Sequence, residues 1–281
     1  MKTWKKIILG VSLISLFLGG GLVAWGYSQG GLTDLQNQTK SEQDYVKKEV
    51  KDFNKIDIKS SSYNVLIKNG DVDKATLSYY QKTKNPIDTS VKDGQLTIND
   101  SNSELDSTSN KHINFFGLKD LVRLSTLNEE VRNKTIVITL PKKQTIDFLK
   151  VDLATGNLDL SNSTIKQADI NLNVGDLTFT KMIVSNLKAN LDVGSVDSDH
   201  TLFTNSDLSI AMGDYSGDNL IFNSHNKLDI ISGDIEIALK DYTLNVQADS
   251  HSGEVDITNN LKISKDNTLT ITSDLGDITV E

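Results

Sequence analysis

The chain has 281 residues, of which 37% are apolar, 6% aromatic and 24% charged, and its formal net charge is −9. This acidic balance argues against a nucleic-acid-binding protein, because such proteins need a basic surface that displaces the counterions of the phosphates. The lack of cysteine excludes disulfides, thiolate metal sites and thiol nucleophiles. The composition suits one large domain or two small ones with an aliphatic core.

An uncharged apolar run occupies residues 7–27 and is long enough to cross about 30 Å of hydrocarbon as a helix. Three lysines precede the run, and no basic residue follows it until Lys40. The charge bias predicts that residues 1–27 are a single-pass anchor, with the N-terminus in the cytoplasm and residues 28–281 outside the cell. A cleaved signal peptide is the alternative. The polar residues 28–52 are predicted to be a spacer.

The next segment, residues 53–100, carries strand patterns. Apolar residues alternate at Ile56 and Ile58, and again in Gln95–Ile98, with turn signals such as Asp93-Gly94 between the strands. The segment is predicted to form degenerate first rungs of a repeat or its cap. A further strand is predicted at Thr135–Leu140.

Residues 101–134 interrupt the strand pattern and are predicted to be an insertion or a cap. After a polar loop, apolar residues recur at helix-like spacing, and the set includes Phe115, Phe116, Leu118 and Leu121. One interpretation is a lateral contact site for a partner or for the membrane surface. The other is a cap helix that closes the open end of a repeat protein.

The strongest signal is a repeat centred on glycine, with successive spacings of 19, 19, 19, 20, 20 and 23 residues. A polar residue follows each of these glycines, as expected where a corner requires positive φ. The glycines are predicted to be structural turns and are Gly156, Gly175, Gly194, Gly213, Gly233, Gly253 and Gly276.

Apolar residues flank each glycine at intervals of two, which is the signature of strands with one buried face. A further apolar position eight residues after the glycine, as at Ile183, Leu202 and Ile221, suggests another wall segment. One such unit cannot bury its apolar face alone, whereas stacked copies can. The prediction is an all-β parallel solenoid with about 19–20 residues per rung; a sandwich of hairpins is the alternative.

The runs IDIKSSSYNVLIKNGD, ITLPKK and VDLATGNLDLSNSTIKQADINLNVGDLTF resemble the putative-adhesin family of bacterial envelope proteins, a β-solenoid domain of unknown function. The resemblance covers residues 53–281. It implies a Gram-positive envelope protein behind a transmembrane segment, sometimes near stress-sensing systems, and it transfers no catalytic residue. The chain ends in ITVE, so an LPxTG-type wall-sorting tail is not supported.

The chain shows no pattern that indicates catalysis, a cofactor or a resident metal. Its histidines (His112, His200, His225 and His251) form no HxxxH or HExxH motif, and no nucleophile elbow or phosphate loop occurs. These histidines are predicted to be surface or loop residues.

A stacked fold would align Asp214, Asp234, Glu254 and Asp277 in one column about 4.8 Å apart. At that spacing like charges in water repel by about 0.9 kcal/mol per pair. Calcium or the lysines of a partner would relieve the repulsion, and solvated turn residues are the alternative interpretation.

These observations predict a non-catalytic, membrane-anchored extracellular scaffold or adhesin-like binding module for an envelope protein or glycan. An accessory regulator of envelope-stress signalling and a carbohydrate-active β-helix enzyme are the alternatives. The last rung, Ile278–Glu281, is predicted to be an open edge that permits end-to-end self-association.

Overall fold

The computed structural model describes residues 43–82, 86–100 and 134–281. The apolar run at 7–27, the spacer up to residue 42, and the contact residues Phe115, Phe116, Leu118 and Leu121 all lie outside the described residues. Within the described part of the chain, no helix is long and apolar enough to span a bilayer.

The described residues form strands joined by short turns. The strands are β1 (Gln43–Glu49), β2 (Lys55–Ser60), β3 (Asn64–Gly70), β4 (Thr76–Lys82), β5 (Asp88–Lys92), β6 (Gln95–Asn99), β7 (Thr135–Pro141), β8 (Thr145–Ile146), β9 (Phe148–Leu153), β10 (Leu158–Ser161), β11 (Thr164–Ile165), β12 (Ala168–Val174), β13 (Leu177–Thr180), β14 (Ile183–Val193), β15 (Val196–Asp199), β16 (Leu202–Met212), β17 (Tyr215–Asn223), β18 (His225–Ser232), β19 (Ile235–Leu239), β20 (Asn245–Ser250), β21 (Val255–Ile257), β22 (Thr268–Leu275) and β23 (Ile278–Val280).

Each repeat unit places one strand before its glycine and one strand after it, and equivalent strands of successive units pair in parallel. In the first stack, which we call sheet B, Ile170 of β12 is aligned with Val151 of β9 and Ala189 of β14. In the second, sheet A, Leu177 of β13 is aligned with Leu158 and Val196. The predicted all-β fold of stacked parallel rungs is confirmed, because hairpins would have paired antiparallel.

The apolar side chains of both sheets point inward and form one continuous core. In β12, for example, Ile170 and Leu172 are buried whereas Asn171 between them is partly exposed. Because the rungs are in register, each buried side chain contacts its equivalent in the rungs on either side, about 4.8 Å away. Burial of long aliphatic columns therefore replaces the large aromatic core that this composition lacks.

The rungs at the N-terminal end are not stacked in chain order. Strand β2 lies between β6 and β9, and β3 lies between β7 and β10. Beyond them, β4 pairs antiparallel with β7, and β5 pairs antiparallel with β6. The first β-patterned segment thus supplies both an internal rung and an antiparallel closure of this end.

The C-terminal end is also threaded out of chain order. Strands β22 and β23 lie between β18/β19 on one side and β20/β21 on the other. The Ile278 N–H donates to the Glu254 carbonyl oxygen at 2.8 Å, and the Ile235 N–H donates to the Asp277 carbonyl oxygen at 2.9 Å. The predicted open edge at Ile278–Glu281 is therefore wrong, because the hydrogen-bonding groups of β23 are used on both sides.

A third wall segment follows sheet A, but the residues that it buries are not the ones predicted. Side chains seven and nine residues after the glycine are the buried ones, including Met182 and Val184. The predicted wall residue between them, Ile183, is 48% exposed. Phe179 contacts Phe203 edge to face and Phe203 stacks on Phe222 inside this part of the core, with ring centroids 5.3 and 5.8 Å apart.

Candidate binding surface

The corner glycines are required for two physical reasons. Six of them have φ between 140° and 149°, a region that side-chain-bearing residues rarely adopt. A Cβ on Gly194 would also lie 1.9 Å from the carbonyl oxygen of Gly175 in the adjacent rung. Gly253 lacks the positive φ, but a Cβ there would lie 2.0 Å from the Gly276 oxygen. The close stacking of the corners therefore excludes a side chain at each of these positions.

The polar residue after each glycine forms a hydrogen-bonded ladder along the stack. Its side-chain oxygen accepts a hydrogen bond from the backbone N–H of the equivalent residue in the next rung. The pairs, donor first, are Asn157–Asn64 (2.9 Å), Asp176–Asn157 (3.0 Å), Ser195–Asp176 (3.0 Å), Asp214–Ser195 (3.3 Å), Asp234–Asp214 (2.9 Å), Asp277–Asp234 (2.9 Å) and Glu254–Asp277 (2.8 Å).

The predicted carboxylate column lies in this ladder, in the order Asp214, Asp234, Asp277 and Glu254. The first three carboxylates each accept one backbone N–H, and this attraction offsets part of their mutual repulsion. The primary role of these aspartates is therefore to satisfy backbone donors where the chain turns the corner.

The outer face of sheet A is acidic from β13 to β21. Its outward positions lie one, three and five residues after each corner glycine, and among these described positions none is Lys or Arg. We call the carboxylates of this face the acidic wall; they are Asp176, Asp197, Asp199, Asp214, Asp218, Asp234, Glu236, Asp277, Glu281, Glu254 and Asp256.

A further carboxyl group, that of Asp159 on β10, continues the acidic wall by one rung but is buried. Asp159 is 2% exposed, and neither carboxyl oxygen has a hydrogen-bond partner among the residues that the structure describes. Its register partners are Leu66 and Thr178, which are also buried. Burial raises the pKa of Asp159 well above its usual value, and the nearby Asp176 carboxylate adds to the effect. The group is therefore held in an environment that disfavours its charge.

The outer face of sheet B has the opposite electrostatic design. One of its columns alternates in sign along the stack, so Lys150 and Lys188 have acidic register partners on both sides and Lys227 has one. The column runs Asp57, Lys150, Asp169, Lys188, Asp207 and Lys227. Beside it, Asn171 donates to Asp152 and Asn190 donates to Asn171, each at 3.0 Å. This face therefore neutralises its own charges.

An apolar ridge follows the corner that borders the acidic wall. Val193, Met212 and Leu275 directly precede corner glycines and are 38%, 59% and 55% exposed. They belong to one aligned column, in which Ser232 takes the place between Met212 and Leu275, and the neighbouring Ile231 is 55% exposed. We use the name apolar ridge for Val193, Met212, Ile231 and Leu275.

The residues predicted as sites fall into separate places. The seven glycines lie along one corner, and the four predicted contact residues of the 101–134 insertion lie outside the described residues. His200, His225 and His251 are exposed, and only His200 approaches carboxylates. Sequence reasoning missed the acidic wall, although the recurrence of Asp and Glu one, three and five residues after the glycines would have revealed it.

Comparison with models of known protein families finds a match that covers the repeat region of the chain. The family model described as Toastrack DUF4097 matches residues 53–281, which include the rungs and corner glycines described above. The chain belongs to the Toastrack DUF4097 family. The resemblance to an envelope domain of unknown function is thereby confirmed at the level of the family. No curated protein matches this Toastrack chain.

Among solved structures, the chain is similar to a putative cell adhesion protein from Clostridium sporogenes. The two are 16% identical, and the alignment covers 85% of this chain and 98% of that one with a TM-score of 0.37. A putative adhesin from Bacteroides fragilis is 14% identical, covering 86% and 98% with a TM-score of 0.38. A protein from Parabacteroides distasonis described as a putative lipid binding protein is 12% identical, covering 85% and 97% with a TM-score of 0.37.

Proposed function

We propose that this Toastrack chain is a non-catalytic, membrane-anchored binding module that presents the acidic wall and the apolar ridge to a basic partner at the outer side of the cell membrane. The observation that carries the proposal is the one-sided charge of the wall. Sheet B pairs its charges internally, whereas sheet A carries carboxylates from β13 to β21 without a basic residue at the outward positions of those rungs.

The wall supports binding through its electrostatics. Carboxylates on neighbouring rungs repel by about 0.9 kcal/mol per pair in water, and a basic partner that lies along the stack would relieve several such repulsions together. A field of one sign also accelerates the encounter with an oppositely charged partner and disfavours anionic surfaces such as lipid headgroups. The favoured partner is therefore a protein segment with spaced Lys or Arg.

The apolar ridge supports the proposal by its position. Met212 directly precedes Gly213, and Asp214 of the acidic wall directly follows it. Binding sites commonly combine an apolar centre with a polar rim. A partner segment with apolar residues on one side and basic residues on the other would cover the ridge and the wall at once.

Site-specific crosslinking in intact cells tests the binding face. A photo-reactive amino acid at Ser216, in the middle of the acidic wall, is expected to capture a partner, and the same amino acid at Ser209 on the outer face of sheet B is expected to capture none. Charge-neutral wall variants (Asp197→Asn with Glu236→Gln) are expected to lower the yield at Ser216. Equal yields from the two faces would contradict the proposal.

Cysteine labelling tests the membrane topology. The chain has no native cysteine, so within this chain only an introduced cysteine can react. A membrane-impermeant maleimide is expected to label Ser216→Cys in intact cells and to label Thr3→Cys only after lysis. Labelling of both sites only after lysis would refute the outward orientation. Recovery of Ser216→Cys in the medium would instead identify residues 1–27 as a cleaved signal.

A further inference from the structure

Two carboxylates and one imidazole converge where sheet A ends and the chain turns into the third wall segment. The His200 Nδ1 atom lies 2.6 Å from Asp199 Oδ1, and one ligand-type atom each of Asp199, His200 and Asp218 lies within 4.8 Å of the other two. Among the described residues, this is the one group of three such side chains that approach so closely.

The backbone of the solenoid holds these three residues in place. Asp199 and Asp218 are register partners on β15 and β17. The His200 N–H donates to the Asp218 carbonyl oxygen at 2.9 Å, and the Lys181 N–H donates to the Asp199 carbonyl oxygen at 2.8 Å. His200 has φ of 48°, as have the equivalent corner residues within a few degrees, so its side chain leaves a fixed left-handed corner. A ligand would thus meet a preformed arrangement.

The second carboxylate is oriented by a further hydrogen bond. Asn219 Nδ2 donates to Asp218 Oδ2 at 2.7 Å, which leaves Oδ1 available. Outer hydrogen bonds of this kind fix the orientation of metal ligands in established sites. His200 and Asp218 are exposed and Asp199 is partly exposed, so a cation can reach the three side chains from solvent.

We propose that Asp199, His200 and Asp218 form a binding site for a divalent transition metal, with Zn²⁺ as the favoured ion. Zinc accepts mixed imidazole and carboxylate ligands at about 2.0–2.2 Å in a tetrahedral arrangement, so its ligand atoms lie about 3.4 Å apart, and small side-chain rotations bring these atoms to that spacing. Calcium requires six to eight oxygen ligands, which three side chains including a histidine do not supply. Three protein ligands leave a coordination position for water or for a partner's side chain.

The charge of the three ligands favours this ion as well. Two carboxylates and one imidazole, which binds metals in its neutral form, present a charge of about −2 to the metal. Zinc binding would therefore relieve repulsion between the register-paired Asp199 and Asp218. This site stands independently of the proposed partner-binding function.

Calorimetric titration of the purified full-length chain in detergent with ZnCl₂ alone tests the site. The expected result is one equivalent of zinc per chain, with at least tenfold weaker binding in both His200→Asn and Asp218→Asn. Asparagine tolerates the left-handed backbone at position 200, so the first variant is expected to stay folded. An absence of heat with the native chain would overturn the proposal.

The control variant is Asp197→Asn, which removes the same charge from the same face but lies outside the three-residue cluster. It is expected to change zinc affinity less than threefold. If it weakens binding as much as Asp218→Asn does, the metal is attracted by the acidic surface in general and the proposed site is wrong. Thermal unfolding shows whether each variant is folded. If His200→Asn is unfolded, the zinc affinities of Asp218→Asn and Asp197→Asn still test the site.

Cobalt substitution gives a second readout that does not depend on affinity. Co²⁺ bound to nitrogen and oxygen ligands in a distorted geometry shows d–d absorption, which is expected for the native chain and is expected to be lost in His200→Asn. Excess CaCl₂ is expected to leave the band unchanged. Displacement of cobalt by calcium at equal concentrations would contradict a site that includes the imidazole.

Discussion

The outer faces of the two sheets arise from the same repeat but carry different charge patterns. On sheet B, lysine and aspartate alternate from rung to rung, so that the stack provides each charge with opposite partners. On sheet A, the outward positions from β13 to β21 include no basic residue, and nearly all of them are Asp, Glu, Ser or Thr. Since both faces sit on the same backbone, the difference cannot be a requirement of the rungs. The difference supports the proposal that sheet A is the binding face.

The largest expected effect concerns the corner that both faces share. Gly194→Ala places a Cβ where the Gly175 carbonyl oxygen lies 1.9 Å away, on a backbone with φ of 147°. We expect a loss of at least about 3 kcal/mol in the free energy of unfolding, or failure to fold. Urea unfolding followed by circular dichroism measures it.

The matched control for this corner is Ser195→Ala, one residue later, which removes a hydroxyl acceptor at a hydrogen bond of 3.3 Å and keeps the backbone. Its expected cost is about 1 kcal/mol or less. Equal losses from Gly194→Ala and Ser195→Ala would show that the corner does not depend on close contact between glycines.

The second effect concerns Asp159, whose pKa is raised by burial. A carboxyl whose pKa is higher in the folded than in the unfolded state binds more protons when folded, so the fold gains stability as pH falls through the folded pKa towards the unfolded one. Asp159→Asn is expected to raise the stability at pH 7 by about 1–3 kcal/mol. The same substitution should also reduce the gain in stability that the wild type shows when the pH is lowered.

The measurement for Asp159 is urea unfolding of the wild type and of Asp159→Asn at several pH values from neutral to mildly acidic. Asp256→Asn, at the exposed end of the same column, serves as the control and is expected to leave the slope close to that of the wild type. A parallel pH dependence in the wild type and in Asp159→Asn would contradict a raised pKa of Asp159 in the folded chain.

A smaller effect is expected in the ladder that follows the glycines. Asp234→Ala removes the acceptor of the Asp277 N–H, a bond of 2.9 Å, and is expected to cost about 1–2 kcal/mol. Asp234→Asn keeps an oxygen acceptor and removes a charge, so it is expected to be near neutral. Chemical unfolding of the two variants separates the hydrogen bond from the charge; equal losses would mean that the charge itself stabilises the corner.

The smallest effects test the contrast between the faces directly. Lys188→Glu puts three acidic residues in succession on sheet B, with Asp169 and Asp207 as its register partners. It is expected to cost about 0.5–1 kcal/mol at low salt and less at high salt. Ser216→Lys on sheet A is expected to stabilise by a few tenths of a kcal/mol. Stabilisation by Lys188→Glu together with destabilisation by Ser216→Lys would contradict the contrast between the two faces.

The repeat could be recognised from the sequence because stacking constrains one column of residues in every copy. The period of the glycines, the alternation of apolar residues and the polar residue after each glycine are all local patterns. The order of the rungs at the two ends could not be recognised in this way. Nothing in the composition of Thr268–Leu275 distinguishes an internal rung from a terminal one, because both bury the same apolar column.

The inward-facing residues of the third wall segment show a different limit of prediction from sequence. Ile183, Leu202 and Ile221 recur at a constant distance from the glycine, yet the buried neighbours are Met182 and Val184 and their equivalents. The left-handed corner residue before this segment, such as Lys181 with φ of 53°, rotates the chain and changes which residues point inward. A count along the sequence does not include such a rotation.

The amino-acid sequence by itself determined the parallel stack, its rung length and the glycine corners, because these follow from repeated local preferences. Only the tertiary structure decided which rungs are neighbours at the ends, and it alone brought carboxylates from separate rungs into one wall and placed Asp218 beside Asp199 and His200. The physical reason is that these proximities come from pairing across about 19 residues or more, where register and not sequence distance sets what is close.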